Sequence, residues 1–167
     1  MKRISSLLSI CTFIVAFAQA QNTPKSPPKS LETTIGQTEI AINYNSPYKK
    51  GRTLWGDLVP YDQVWRTGAN SATKISLSSD VKVEGETLKA GTYSIFTIPT
   101  KEKWTVIFNT VSDQWGAYSY DKGKDALRVV VSPTKAETDV ESMTFEVSGN
   151  TLMLKWGKLV VPVSIEA

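Results

Sequence analysis

Apolar residues recur at every second position along most of this chain, and this period of two limits the folds that the chain can adopt. Ile40, Ile42 and Tyr44 alternate with polar or small residues, and the stretches 143–147 and 152–156 repeat the alternation. Successive side chains of a β-strand point to opposite faces of a sheet, so each stretch indicates a half-buried strand. No stretch keeps a 3.6-residue period for three turns, so no long amphipathic helix is predicted. The sequence therefore predicts an all-β fold.

The predicted strands are short, and turn signals separate them. Ser148-Gly149-Asn150, for example, joins two of them as a hairpin turn. About nine or ten such strands predict one domain over residues 31–167, built as an antiparallel β-sandwich or a jelly-roll-like barrel. Apolar residues on both phases of the middle strands predict that both faces are covered there; the pairs are Ile95 with Phe96, Val106 with Ile107, and Val129 with Val130.

Two residues carry specific structural predictions. Tyr93 follows Gly91 in the pattern of the tyrosine corner, in which the phenol hydroxyl bonds back to the backbone. Pro162 lies in the last predicted strand, residues 159–165, and proline cannot donate a hydrogen bond to a sheet. We therefore expect that strand to lie at a sheet edge or to contain a bulge at Pro162.

The N-terminal residues indicate an export signal and a tether. Lys2 and Arg3 precede an apolar stretch, and Ala18-Gln19-Ala20 supplies the small residues of a cleavage site, so residues 1–20 are a predicted signal peptide. The stretch is shorter than the roughly 20 apolar residues of a membrane span, and no transmembrane segment is predicted after cleavage. Residues 21–30, QNTPKSPPKS, are a predicted disordered tether. We expect the mature domain in the periplasm, the outer envelope or the medium.

The chemistry open to the mature domain is narrow, because the chain has no His and one Cys, Cys11, inside the predicted signal. Ser-His-Asp triads, Cys nucleophiles, disulfides and His or Cys metal sites are therefore excluded. No metal and no cofactor are predicted, since the acidic residues lack the spacing of a calcium loop. Residues 1–20 hold two of the 19 basic residues and none of the 16 acidic ones, which leaves a net charge of +1. Such a charge argues against nucleic acid as a partner.

Two long segments interrupt the alternation, residues 45–70 and residues 110–125. Both are rich in turn formers and aromatic residues, and long irregular segments of compact domains commonly carry function. Arginine offers a planar fork for carboxylates and phosphates, and Trp and Tyr offer flat faces for sugar rings or peptide side chains. On the hypothesis that both segments line one groove, its ligand-binding candidates are Arg52, Trp55, Tyr61, Trp65, Arg66, Asn70, Trp115, Tyr118 and Tyr120.

Arg66 is the most specific of these candidates. If it points into a groove, we expect Asn70 or Asp57 to hold its guanidinium while other donors stay free. The structural alternative is that Trp55 and Trp65 fill the core and that Arg66 and Asn70 bond the loop backbone.

Several runs in and around these segments resemble a known family. They are YNSP followed by KGR at 44–52, GDLVPYDQVWRTGAN at 56–70, GTYSIFTIP at 91–99, WTVIFN at 104–109 and WGAYSYD at 115–121. Together they span nearly the whole mature chain, in order, and are similar to the secreted bacterial family known as domain of unknown function 2911, which occurs mainly in Bacteroidetes. The resemblance implies one domain in the periplasm or outer envelope, and it brings no activity or catalytic residue.

The leading hypothesis is a non-catalytic envelope domain that binds a small ligand, glycan, peptide or protein partner through the Arg- and Trp-bearing loops. The alternative is a carboxylate-dependent hydrolase of glycan or envelope polymer, with Asp57 and Asp121 as its candidate residues. A purely structural subunit is a third reading. Whether the domain is an enzyme stays open, and the lack of His and Cys favours binding.

Overall fold

The computed structural model describes residues 24–167, and the predicted signal peptide lies outside them. The described residues form ten β-strands and one 3₁₀ turn, Lys122–Lys124, with no α-helix. The strands are β1 (Pro28–Ile35), β2 (Thr38–Asn45), β3 (Thr73–Leu77), β4 (Val81–Val83), β5 (Glu86–Leu88), β6 (Gly91–Pro99), β7 (Trp104–Asn109), β8 (Asp125–Val131), β9 (Thr134–Ser148) and β10 (Thr151–Glu166). The all-β prediction is confirmed.

Two antiparallel sheets face each other across the main core. One has six strands in the order β1-β2-β3-β6-β7-β8, and the other has four in the order β5-β4-β10-β9. Because there are two separate sheets, the sandwich is the correct one of the two predicted architectures. Trp104 on β7 and Trp156 on β10 are the largest fully buried side chains, so each sheet contributes one tryptophan to the core.

Strand β1 begins inside the segment that we predicted to be a tether. Pro28 lies opposite Asn45 in the register of β1 with β2, and Pro27 accepts a hydrogen bond of 2.9 Å from the Ser46 amide. Backbone pairing needs no apolar side chain, and proline is tolerated on the edge strand that β1 forms. The folded domain therefore starts before residue 31.

The C-terminal strands form one long hairpin. The two strands predicted over residues 152–156 and 159–165 are a single strand, β10, with register shifts on both sides of Gly157. β10 pairs first with β9 and then, from Ile165, with β4. Pro162 lies between these two sets of pairs. Because no pair requires a hydrogen bond from residue 162, the missing N–H of Pro162 removes no bond from either pairing. Of the two expected alternatives, the edge position is wrong, because β10 lies inside its sheet, and the register shifts of β10 lie at Gly157 and not at Pro162.

The tyrosine corner is confirmed. The Tyr93 hydroxyl donates to the Lys89 carbonyl at 2.9 Å, across the turn between β5 and β6. Burial raises the pKa of the Tyr93 phenol. The bond fixes the start of β6, the strand on which part of the candidate site is built.

Parts of the two irregular segments, the first loop (residues 45–70) and the second loop (residues 110–125), cover the outer face of the six-stranded sheet at β6 and β7. Phe96 on β6 and Ile107 on β7 are fully buried there in a second, small core. The loop side chains packed against it are Val64, Ala117 and Tyr120. The predicted coverage of both faces is confirmed for β6 and β7, and it is wrong for the edge strand β8, where Val130 is 59% exposed.

Candidate functional site

Four tryptophans from distant parts of the chain meet in one cluster. Trp55 and Trp65 come from the first loop, Trp104 from β7 and Trp156 from β10. Trp65 and Trp156 stack with their planes at 17°, whereas the other close pairs meet edge to face at centroid distances of 4.8 to 6.4 Å. The cluster therefore ties the first loop to both sheets.

Backbone and side-chain bonds both hold Trp65 in place. Its amide and carbonyl bond Thr97 on β6 at 2.8 and 2.9 Å, and its indole donates to the Gly68 carbonyl at 3.1 Å. Trp156, beneath it in the stack, is 1% exposed and donates to the Glu141 carbonyl at 3.3 Å. The partly exposed Trp65 ring is thus supported by a buried one.

The turn that follows Trp65 combines backbone strain with strong support. Thr67 has a φ of +55° and Asn70 a φ of +57°, a left-handed conformation that β-branched residues rarely adopt. The buried Thr67 hydroxyl donates to Thr97 Oγ1 at 3.2 Å, and the Thr67 carbonyl accepts from Thr73 Oγ1 at 2.7 Å. Strain that is held by surrounding bonds clusters at functional sites, so this turn is a candidate for one.

The turn forms one wall of a cleft with a volume of about 590 Å³. Among the described residues, four cationic side chains line it and no carboxylate does. The cations are Lys25, Lys50, Arg52 and Arg66, and Trp65, Asn70 and Trp156 lie among the other lining residues. Because residues 24–167 together carry 17 basic and 16 acidic residues and are almost neutral, this cationic cleft is a local excess of positive charge that attracts anions.

The two arginines of the cationic cleft differ in their partners. Arg52 donates to two backbone carbonyls of its own loop, at 3.0 and 2.6 Å. The Arg66 guanidinium makes no hydrogen bond or ion pair with any residue from 24 to 167, although its Nε is buried. Within these residues neither Asn70 nor Asp57 holds Arg66, and Arg66 does not bond the loop carbonyls either.

A second cavity, of about 340 Å³, adjoins the cationic cleft and shares Trp65 and Arg66 with it. Tyr118 of the second loop lines this adjoining cavity. The Gly116 amide donates to the Asn70 carbonyl at 3.0 Å and so joins the two loops here. The loops therefore meet beside Arg66.

The other aromatic candidates line neither of these two cavities. Trp55 lies in the tryptophan cluster, and Tyr61 lines a separate surface depression next to Lys101. Trp115 is 67% exposed, and Tyr120 packs edge-on against Phe96. Of the nine sequence candidates, the structure brings together five, which are Arg52, Trp65, Arg66, Asn70 and Tyr118.

Tyr120 belongs to a polar network that anchors the second loop. Its hydroxyl donates to the Asp125 carboxylate at 2.6 Å and accepts from Arg128. Asn109 donates to the other oxygen of the same carboxylate at 2.8 Å. Burial, followed by the bond with Asp125, raises the pKa of the Tyr120 phenol to about 12. These contacts give Tyr120 a structural role, in which it anchors the second loop.

The two carboxylates of the hydrolase hypothesis line neither cavity. Asp57 is exposed on the first loop. Asp121 accepts a hydrogen bond from the Gly123 amide at 2.8 Å and so caps the 3₁₀ turn. Within residues 24–167, no group of three or more acidic side chains is arranged to hold a metal ion.

Three of the charged and aromatic residues of the cleft were not predicted from the sequence: Lys25, Lys50 and Trp156. Lys25 was assigned to the predicted tether. The alternation of apolar residues placed Trp156 on the core-facing side of a strand, and its ring is indeed buried. For Lys50 a signal existed, since it stands two residues before Arg52 in a basic run.

Comparison with known proteins identifies a family. The family model described as protein of unknown function (DUF2911) matches residues 26–165, which is most of the chain. No curated protein and no solved structure matches the chain significantly. The part of the chain that the structure describes holds no helix with the length and hydrophobicity of a membrane span. The chain therefore belongs to the DUF2911 family of proteins of unknown function.

Proposed function

We propose that this protein is an exported binding domain that holds a small anionic ligand in the cationic cleft. The observation that carries the proposal is the state of Arg66, which lines the cleft and has a buried Nε without a partner among residues 24–167. A buried donor that lacks an acceptor costs free energy, and a bound carboxylate or phosphate would supply the acceptor.

The size and charge of the cleft support the same proposal. Its volume of about 590 Å³ lies in the range of small-molecule sites. Asp139 and Glu141, carboxylates that contact the first loop, pair with Lys49 and with the Lys50 amide and do not line the cleft. An incoming anion therefore meets cations without facing a carboxylate.

The residues of the cleft suit binding better than catalysis. They offer guanidinium and ammonium groups, the Asn70 amide and the indole of Trp65, and no paired acid and base. The bonds around Thr67 and the stack of Trp65 on Trp156 hold the wall in one arrangement before any ligand arrives. Such preorganisation lowers the entropic cost of binding.

Calorimetric titration of the protein with inorganic phosphate and with citrate tests the proposal, with neutral maltotriose as the uncharged comparison. We expect at least one anion to bind, more weakly at high salt, and maltotriose not to bind. Arg66→Gln should weaken anion binding by about tenfold or more, because a charge-assisted hydrogen bond is lost. The matched control is Lys82→Gln, the same loss of charge at an exposed position of β4, which should change nothing.

Thermal unfolding of the same variants separates binding from structural support. Since the Arg66 side chain bonds no described residue, Arg66→Gln should not lower the free energy of unfolding by more than about 0.5 kcal/mol. A large loss of stability in Arg66→Gln, together with no anion binding by the unmutated protein, would overturn the proposal.

A further inference from the structure

Arg66 lies at the boundary of two cavities with different side chains. Leu58, Trp65 and Arg66 line both the cationic cleft and the adjoining cavity of about 340 Å³. A ligand group bound to the Arg66 guanidinium is therefore next to both spaces. Whatever is attached to that group can extend into the adjoining cavity.

The adjoining cavity presents apolar and aromatic side chains together with polar groups. Six of its eight lining residues are apolar or aromatic, and Arg66 and Gln63 are the other two. Two of the six are among the few large apolar side chains that the fold leaves exposed, Leu58 at 38% and Tyr118 at 86%. Exposed apolar and aromatic groups beside a cavity are typical of ligand sites.

The backbone places Tyr118 beside Arg66. Gly116 has a φ of +68°, and a Cβ at this position would come within 2.8 Å of the Tyr118 ring. The same point lies 3.7 Å from Arg66 Nη1, so the phenol ring and the guanidinium flank one glycine. An exposed ring held against its own backbone loses little freedom when a ligand packs on it.

We propose that the ligand is an amphipathic organic anion, an organic phosphate or carboxylate whose charged group binds Arg66 and whose apolar or aromatic part packs on Leu58 and Tyr118. This inference rests on the proposed function, since it uses the same guanidinium. It adds a second subsite in the adjoining cavity, where Leu58 and Tyr118 offer exposed apolar surface beside the guanidinium.

Two matched pairs of probes test the inference by calorimetric titration: inorganic phosphate against phenyl phosphate, and acetate against phenylacetate. For the charged group that the site prefers, the phenyl compound should bind about three to ten times more tightly, the gain typical of one aromatic contact. Tyr118→Ala should abolish this gain and leave the affinity for the anion without a ring unchanged. Trp115→Ala is the control, because Trp115 is an exposed aromatic residue of the same loop that lines neither cavity.

The possible outcomes separate this inference from the proposed function. A phenyl gain that disappears in Tyr118→Ala and persists in Trp115→Ala supports the second subsite, and the pair that shows the gain identifies the charged group. Equal affinities within both pairs, or equal losses in the two variants, overturn the second subsite and leave anion binding standing. Failure of all four probes and of citrate to bind overturns both proposals. Circular dichroism of each variant verifies that its fold is intact.

Discussion

The indole rings of Trp65 and Trp156 stack with their centroids 6.0 Å apart and their planes at 17°. Trp65 belongs to the first loop and Trp156 to β10, in the four-stranded sheet. Through this contact the loop that carries Arg66 is fixed to the core of the sandwich, so the stability of the fold and the shape of the cationic cleft are coupled.

Replacing Trp65 should therefore both destabilise the fold and change the shape of the cationic cleft. We expect Trp65→Ala to lower the free energy of unfolding by about 2 to 4 kcal/mol, because a large, partly buried ring leaves a cavity in the cluster. Urea unfolding followed by circular dichroism measures the loss. Trp115→Ala, at a ring that is 67% exposed, should stay within about 0.5 kcal/mol of the unmutated protein. Equal losses in the two variants would contradict the structural role of the stack.

The close approach of Gly68 to neighbouring backbone predicts a steric effect in the turn after Trp65. A Cβ on Gly68 would lie 3.1 Å from both the Asn45 carbonyl oxygen and Thr73 Oγ1. Gly68→Ala should thus destabilise the protein by about 1 to 3 kcal/mol through overpacking. The comparison is Gly51→Ala, where φ is +70° but no atom lies within 4 Å, so only backbone strain of about 1 kcal/mol is expected. Denaturant midpoints rank the two, and a larger loss at Gly51 would contradict the packing of this turn.

The Tyr120 network predicts a loss of stability at alkaline pH. Burial raises the pKa of the Tyr120 phenol to about 12, above the value of about 10 expected in the unfolded chain. The unfolded state therefore releases its proton first, so the stabilisation present below pH 10 is lost as the pH rises from about 10 to 12. Denaturant midpoints measured across this window should fall less steeply in Tyr120→Phe than in the unmutated protein.

Tyr118→Phe is the control for this pH dependence, since Tyr118 is 86% exposed and bonds none of the network residues. Its alkaline profile should match that of the unmutated protein. Identical slopes for all three proteins between pH 10 and 12 would contradict the contribution of Tyr120.

The predicted export signal implies a specific mass for the exported protein. We expect the exported protein to begin at Gln21 and its unfolding to be insensitive to reductant, because Cys11 is removed with residues 1–20. Intact-mass spectrometry of the exported protein tests the first point. A mass that retains Met1, or an acyl group on Cys11, would contradict it.

The parts of the fold that could be predicted are those in which local pattern and burial coincide. Ile40, Ile42 and Tyr44 alternate with less buried neighbours in the sequence and are buried on β2 in the structure. The limits of that approach show at β1, whose first residues are exposed and pair with β2 without an apolar alternation, and at Val130, whose apolar side chain lies exposed on an edge strand.

The sequence by itself determined the all-β class and the two loops that carry the candidate site, because a period of two and clusters of turn formers are local properties of the chain. Only the tertiary structure decided that Arg66 and Tyr118 line the same cavity and that Tyr120 does not line it. Contacts with distant residues set the course of the first loop. The Lys49 amide donates to the Glu141 carbonyl at 2.7 Å, and the Met143 amide donates to the Pro47 carbonyl at 2.9 Å. In a regular strand the period of two tells which way each side chain points, but an irregular loop has no such period. The positions of these loop residues therefore depend on the packing of the whole sandwich.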